Sequence, residues 1–285
     1  MRHLAAFAIL LAAATPLSEV ISRVPATVGI AALDLDTGRS VSVRAEERFP
    51  MGSVYKLPIA ITVLRAIDGG ELSRDQQVTI QPADFAPGHS PIRDAAKGHA
   101  VTLTIPSILE AMVTDSDNTA ADVLQHVIGG GAKITALIRA LGVTDVRIDR
   151  TEKQIDADIR AHGVASYNTD ARDTATPNGM LALLRKVQLR QDGLAAASHD
   201  LLVKWLTESR NPQRIRNGLP AGATLAHKTG TMPGVMNDVG IITSPDGGHH
   251  IALVVFTKNA RSEEGDARGI GIAAIARAVY EDLMR

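Results

Sequence analysis

Three short strings in this chain carry residue types that could do acyl-transfer chemistry: Ser53-Val54-Tyr55-Lys56, Ser116-Asp117-Asn118 and Lys228-Thr229-Gly230. A serine hydroxyl is nearly inert at neutral pH and needs a base beside it. Lys56, three residues after Ser53 at an expected helix start, shares a face with it. It can be that base only if its pKa falls from about 10.4 toward about 7. Burial and a neighbouring cation supply such shifts, and Lys228 is the candidate neighbour. The helix start also favours an oxyanion. Ser116 could relay a proton to a leaving nitrogen, and Asn118 could hold a substrate carbonyl. Gly230, on an expected strand, admits a close backbone approach, and the N–H groups of Thr231 and Ser53 would form an oxyanion hole. Each string alone has an ordinary explanation: a capping serine with a solvated lysine, a Ser-Asp-Asn capping run, a surface strand edge. All three in this order favour one catalytic centre.

As a set the strings resemble those of the serine β-lactamases and penicillin-binding proteins, and a fourth narrows the resemblance to the class A β-lactamases. Arg147-Ile148-Asp149-Arg150-Thr151-Glu152 and Ala171-Arg172-Asp173-Thr174-Ala175-Thr176-Pro177 are similar to the two ends of that family's Ω-loop. The resemblance covers the chain from about Val24 to its end. It implies hydrolysis of the β-lactam amide bond of penicillin- and cephalosporin-type antibiotics through an acyl-enzyme on Ser53, giving resistance, with no cofactor or metal. Within it, Glu152 activates water for deacylation, and Lys56, or Glu152 through water, is the acylation base. Ser116, backed by Lys228, protonates the lactam nitrogen. Asn118, Thr229, Gly230 and Thr231 bind substrate, and Arg150 pairs with Asp173 to close the loop. An arginine holds the substrate carboxylate: Arg214 matches one family position and Arg216 is the fallback. His89 matches a position at the border of the cleft.

The Ω-type segment, 147–173, also departs from the family. Where Glu-x-x-Leu-Asn is usual, the chain has Glu152-Lys153-Gln154-Ile155-Asp156. An ionised Asp156 cannot donate a hydrogen bond, so water must be positioned differently. Close to Glu152, it would raise the upper pKa of the pair. Lys153 stands where proline is common, and a cis peptide there would cost about 3–4 kcal/mol. The stretch from Asp156 to Asp173 is longer than usual. With Thr231 and Met232 it predicts a cleft unlike that of the common penicillinases, able to turn over cephalosporins.

The elements that must position these groups follow from composition and spacing. Thr27 to Arg44 reads as two strands around Asp36-Thr37-Gly38. A helix is expected from Ser53 to Ile67, ending at Gly69-Gly70 and kinked by Pro58. Thr104–Val113, Thr119–Ile128, Met180–Leu189 and His199–Glu208 are amphipathic helical runs. Thr224–Thr231, Asp238–Thr243 and Ile251–Phe256 read as strands, with Ile270–Leu283 a terminal helix. Strands at both ends and helices between predict an α/β plus all-α fold: an antiparallel sheet flanked by terminal helices, with an inserted helical domain. The expected division is 15–58 with 213–285 as the discontinuous α/β domain, and 59–212 as the helical one.

Bulk properties exclude several classes. The chain has 285 residues, 45% hydrophobic and 21% charged, with a net charge of -1 and no basic block, so nucleic-acid binding has no electrostatic footprint. The absence of cysteine excludes thiol nucleophiles, cysteine-ligated zinc and disulfides. The adjacent His249 and His250 point to opposite faces of an expected strand and lack a companion ligand motif. Residues 1–14 read as an export signal: Arg2-His3, then an apolar run from Leu4 to Leu11, then Ala12 to Ala14. The run is too short to span a bilayer. The expectation is a periplasmic or secreted protein, monomeric and free of the membrane after cleavage, whose partner is a small β-lactam. Two rivals share the first three strings. A D,D-peptidase or transpeptidase of wall peptides is disfavoured by Glu152. A slowly deacylating β-lactam sensor needs a membrane tether and a signalling partner, and the chain ends shortly after its last expected helix.

Overall fold

A computed structural model describes residues 15–260 and 265–285; the expected export signal, 1–14, lies outside the described residues. The central sheet has five antiparallel strands in the order β2-β1-β9-β8-β7. Its strands are β1 (Thr27–Asp34), β2 (Ser40–Val43), β7 (Thr224–Met232), β8 (Val235–Thr243) and β9 (His250–Lys258). The first two form the expected hairpin, and the pairing of β1 with β9 joins the two ends of the chain. The last three run one to three residues past their sequence bounds, because consecutive hairpins extend the ladders to their turns.

Both faces of this sheet are covered, and the period-2 alternation of each strand divides its side chains between two cores. Ala252, Val254 and Phe256 of β9, with Val239 and Ile241 of β8, join the larger core. Ile251, Leu253 and Val255, with Met236 and Ile242, join a second core against α1 (Leu17–Ser22) and α11 (Gly265–Leu283). The sheet is therefore flanked by terminal helices as expected. His249 and His250 serve the β1–β2 hairpin: their Nδ1 atoms lie 2.8 Å from Asp34 and 3.1 Å from Asp36.

Between β2 and β7 the chain is mostly helical. A short β3 (Phe49–Pro50) pairs with β6 (Thr174–Ala175), and β4 (Gln77–Ile80) pairs with β5 (Val101–Thr104). Neither ladder was foreseen; strands this short carry no readable alternation. The helices are α2 (Lys56–Asp68), α3 (Pro91–Ala96), α4 (Ile105–Thr114), α5 (Asn118–Val127) and α6 (Gly131–Ala140). They continue as α7 (Glu152–His162), α8 (Val164–Thr169), α9 (Pro177–Gln188) and α10 (Ala196–Thr207). Helix starts follow the capping residues: Thr104, Asp117, Thr151 and Thr176 each accept the backbone N–H three residues on.

Two expectations need correction. The helix does not begin at Ser53: Gly52–Tyr55 is a 3₁₀ turn, and the α-helix starts at Lys56. Pro58 is therefore the third residue of α2, where an N–H would have had no intrahelical partner, and it interrupts no helical bond. The Ω-type segment is not an open loop but holds α7 and α8. Thr151 and Gln154 form a reciprocal capping box that starts α7, and Gly163, at φ 82°, ends it.

Candidate active site

The 3₁₀ turn, the loop between α4 and α5, strand β7 and the start of α7 meet at one cleft of about 490 Å³. Ser53, Ser116, Asn118, Glu152, Thr229 and Thr231 line it, with His89, Met232 and Arg210 at its borders. The close packing of β7 on the turn explains Gly230. A Cβ there would stand 2.3 Å from the Met51 carbonyl oxygen and 3.1 Å from the Ser53 nitrogen. The glycine thus lets the strand approach the backbone of Ser53 itself, a tighter demand than the approach of a substrate. Gly52, at φ 50°, completes the fit, since a Cβ on it would lie 3.3 Å from the Thr231 nitrogen. The N–H groups expected to form an oxyanion hole are thereby brought to one place.

Ser116 occupies the left-handed region, at φ 60°, in the short loop that Asp117 braces. Asp117 accepts the N–H of Ala120 and the hydroxyl of Ser90 with one oxygen and the N–H of Ile92 with the other. That bracing turns Ser116 and Asn118 inward. Lys56 Nζ donates to the Ser116 carbonyl at 2.7 Å and to Asn118 Oδ1 at 2.6 Å, and lies 3.4 Å from the Ser116 hydroxyl. Lys228 Nζ donates to the same hydroxyl at 2.9 Å and to the Thr229 carbonyl. Both ammonium groups are fully buried. Burial lowers the pKa of Lys56, against the pull of Glu152 and Asp117. Burial, and next the charge of Lys56, hold Lys228 well below the usual lysine value.

Glu152 Oε1 lies 3.5 Å from Lys56 Nζ, and both side chains are buried. The carboxylate is positioned through its backbone. Asp122, on α5, accepts the N–H of Glu152 at 2.6 Å and that of Lys153 at 3.1 Å, a two-pronged grip on the first turn of α7. Burial raises Asp122 to about 6. No described peptide bond is cis, so Lys153 stands on a trans peptide, which leaves both N–H groups pointing at Asp122. The far end of the segment is tied by Arg150 and Asp173. Nε of Arg150 lies 2.6 Å from Asp173, whose other oxygen accepts the N–H groups of Asp149 and Arg150. Asp158 and Asp170 add further pairs to Arg150.

Arg214 and Arg216 separate clearly. Arg214 is buried behind β7, donating to the carbonyls of Gly230 and Asn237 and to the Thr231 hydroxyl at 2.6 Å. Arg216 turns away, to the Ala223 carbonyl. His89 is exposed at the rim, 2.9 Å from the Asp115 carbonyl. Asp156, expected to alter how the water and substrate are held beside Glu152, is not among the residues that line the cleft. The i, i+4 spacing on α7 puts Asp156 on the same side of the helix as Glu152, one turn or about 6 Å further along, but its carboxylate is taken by another partner. There it pairs at 2.7 Å with Arg160 of the following turn.

Two supporting residues were not foreseen, Asp122 and Asn237. Asn237, on β8, donates to the carbonyls of Pro50 and Met51 and accepts the N–H of Thr257, fastening the Ser53 turn to the sheet. Its sequence signal was the Asn237-Asp238 polar pair inside a mostly apolar strand. For Asp122 the signal was an acid on the apolar face of α5.

A turn bearing Ser53, the Ser116 hydroxyl between two buried lysines and a carboxylate facing them are the groups that serine acyl transfer requires. Comparison with known proteins agrees. The family model described as "Beta-lactamase enzyme family" matches residues 12–283. The extended-spectrum β-lactamase PER-1 of Pseudomonas aeruginosa is 31% identical over 264 residues, covering 90% of this chain and 82% of that protein. β-Lactamase VEB-1 of the same organism is 33% identical over 254 residues, covering 86% and 82%. Among solved structures, a β-lactamase from Chitinophaga pinensis superposes with a TM-score of 0.83 at 33% identity, covering 94% of this chain and 97% of that one. The class A β-lactamase of the last common ancestor of Gram-negative bacteria gives 0.83 at 35% identity, with the same coverage. The chain belongs to the β-lactamase enzyme family and has the class A fold.

Proposed function

We propose that the protein hydrolyses the amide bond of β-lactam antibiotics through an acyl-enzyme on Ser53 and so confers resistance. The observation that carries this reading is the Ser116 hydroxyl 2.9 Å from Lys228 and 3.4 Å from Lys56, with Glu152 3.5 Å from the latter, all at the cleft of Ser53. Ser53 Oγ attacks the lactam carbonyl while its proton passes to Lys56, or to Glu152 through water. The N–H groups of Ser53 and Thr231 hold the oxyanion. As the C–N bond breaks, Ser116 gives its proton to the nitrogen and recovers one from the lysine side. A lysine with a lowered pKa suits that exchange. Asn118 binds the side-chain amide of the substrate, Thr229 and Thr231 its carboxylate, and Arg214 reinforces Thr231 from behind. Glu152 then takes a proton from the water that attacks the acyl carbonyl.

Export and the two-domain division, 15–58 with 213–285 against 59–212, belong to the same reading. No described helix is long and apolar enough to cross a membrane. The apolar start of the sequence supports cleavage after residue 14 and action on a small β-lactam outside the cytoplasm, with a monomer as the default state. The non-standard α7–α8 segment beside Thr231 and Met232 supports turnover of cephalosporins as well as penicillins.

The test is the intact mass of the purified protein over time with benzylpenicillin, beside the Glu152→Gln variant. The wild type is expected to turn over without a standing adduct, and the variant to accumulate one penicilloyl group. A wild type that stays acylated for hours would overturn the reading in favour of a sensor or peptidase.

A further inference from the structure

Behind β7, on the face opposite Lys228, lies a histidine–aspartate pair with no part in the chemistry above. His227 Nδ1 is 2.8 Å from Asp238 Oδ1, and both side chains are buried. An ionised carboxylate only accepts, so Nδ1 is the donor. The neighbouring strand makes room for the ring. His227 pairs across the ladder with Gly240, where a Cβ would stand 2.7 Å from the His227 Cβ. The other carboxylate oxygen, Oδ2, accepts the backbone N–H of Ile215 at 2.9 Å. Asp238, on β8, thus ties the segment between α10 and β7 to the sheet.

The residue before Ile215 is Arg214. With the Ile215 side chain set in the second core and its N–H held by Asp238, the backbone from which Arg214 projects is fixed at two points. Its guanidinium then reaches the carbonyls of Gly230 and Asn237, at 3.1 and 2.6 Å, and the Thr231 hydroxyl at 2.6 Å. Each of these acceptors is neutral, and a buried cation gains from an anion placed within reach. Because Arg214 donates to its oxygen, the Thr231 hydroxyl is left to donate its own proton, and Thr231 lines the cleft. A substrate carboxylate there stands one hydroxyl away from the cation. Burial lowers the pKa of Arg214 and the Asp238 charge opposes that, so Asp238 offers both a grip and a charge.

We propose that His227 and Asp238 are positioning residues for recognition of the substrate carboxylate: the pair fixes the Ile215 backbone and so holds the Arg214 guanidinium against the Thr231 hydroxyl. His227 sets the direction of the Asp238 carboxylate, and Asp238 holds the N–H. Arg214 in turn aims the hydroxyl at the ligand. The pair touches no substrate and moves no proton; it acts on binding. This rests on the reading of Arg214 as the support of Thr231 and adds what places that arginine.

The experiment compares wild type with Asp238→Ala, Asp238→Asn, His227→Phe and Arg214→Ala on benzylpenicillin and on its methyl ester, which lacks the anionic group. The readout is the ratio of kcat/KM for the acid to that for the ester. Asp238→Ala is expected to lower this ratio about tenfold, with the loss on the acid sitting in KM rather than kcat, the mark of lost binding. His227→Phe removes one donor and leaves the grip on Ile215, so its ratio should fall about threefold. It carries the test if Asp238→Ala does not fold. Asparagine keeps an oxygen for the Ile215 N–H and turns its amide to His227, whose Nδ1 can then accept, so Asp238→Asn should restore most of the ratio. An equal loss on acid and ester in the Asp238→Ala and His227→Phe variants marks a packing defect and overturns the proposal. So does an Asp238→Asn ratio as low as that of Asp238→Ala, which makes the charge and not the grip the agent. If Arg214→Ala keeps the wild-type ratio, the support of Thr231 falls and takes the pair with it. If Arg214→Ala loses the ratio while the Asp238 and His227 variants keep it, only this proposal fails.

Discussion

On one wall of the cleft Ser116 sits against two buried ammonium groups; on the other Glu152 is held by an acid, Asp122. The first wall is made of side chains that touch one another directly, each from a three- or four-residue string. The second is held through backbone: Asp122 grips N–H groups, Asp173 grips N–H groups, and the helix start of α7 fixes the rest. Side-chain clusters tolerate shifts of the main chain that a backbone grip does not. The second wall is therefore the one where a single distant substitution should alter catalysis without touching the nucleophile.

The largest expected effect tests that claim at its anchor. Arg150→Ala leaves buried Asp173 without its cation, and breaking such a pair costs about 3–5 kcal/mol. Thermal denaturation should show the loss, and deacylation should slow more than acylation. Equal slowing of both would mean that the two walls are one unit. On the first wall, Gly230→Ala forces β7 off the Met51 carbonyl and disturbs the expected oxyanion hole, so kcat/KM should fall about 100-fold or more. Near-normal acylation in that variant would remove the Thr231 N–H from the mechanism.

Asp122→Asn is the finer probe of the second wall. An amide can accept one of the two N–H groups but presents its own donor to the other, a mismatch worth about 1–3 kcal/mol. The pH dependence follows from the same carboxyl, raised by burial from 3.8 to about 6. Because its folded pKa is raised, its stabilising contribution is fully present below about 3.8 and is lost as pH rises through about 6. For turnover the direction reverses. Protonation below about pH 6 replaces an acceptor with a donor at the Glu152 and Lys153 N–H groups, so deacylation should fall with an apparent pKa near 6. Lys56 and Glu152 also act on this group, so the decisive comparison is with the variant, in which that limb should flatten. Asp156→Asn should do least, changing kcat by less than about twofold, since the residue faces Arg160 at the surface. A large effect would bring Asp156 back to the cleft.

Much of the first wall was legible because its residues work where they stand in sequence. Ser53 and Lys56 are one turn apart, Ser116 and Asn118 flank a capping Asp117, and Lys228 to Thr231 follow one strand. The misreadings share a cause. A 3₁₀ turn and an α-helix start have the same local pattern, so Ser53 was expected one element too late. The α7–α8 segment reads as a charged loop, because its helices are short and their apolar face is only Ile155, Ile159 and Tyr167.

The sequence by itself determined the five strands of the antiparallel sheet, the helices α2, α4, α5, α9, α10 and α11, and the strings that meet at the cleft. Hydrophobic period and capping chemistry are local, and neighbours along the chain enforce them. Only the tertiary structure decided that Arg214 rather than Arg216 backs β7, that Asp156 pairs with Arg160, and that Asp122 and Asn237 hold the backbone at the site. Each of these depends on which groups from distant segments share one buried space. There, an unpaired charge or hydroxyl costs enough to fix the direction of a side chain.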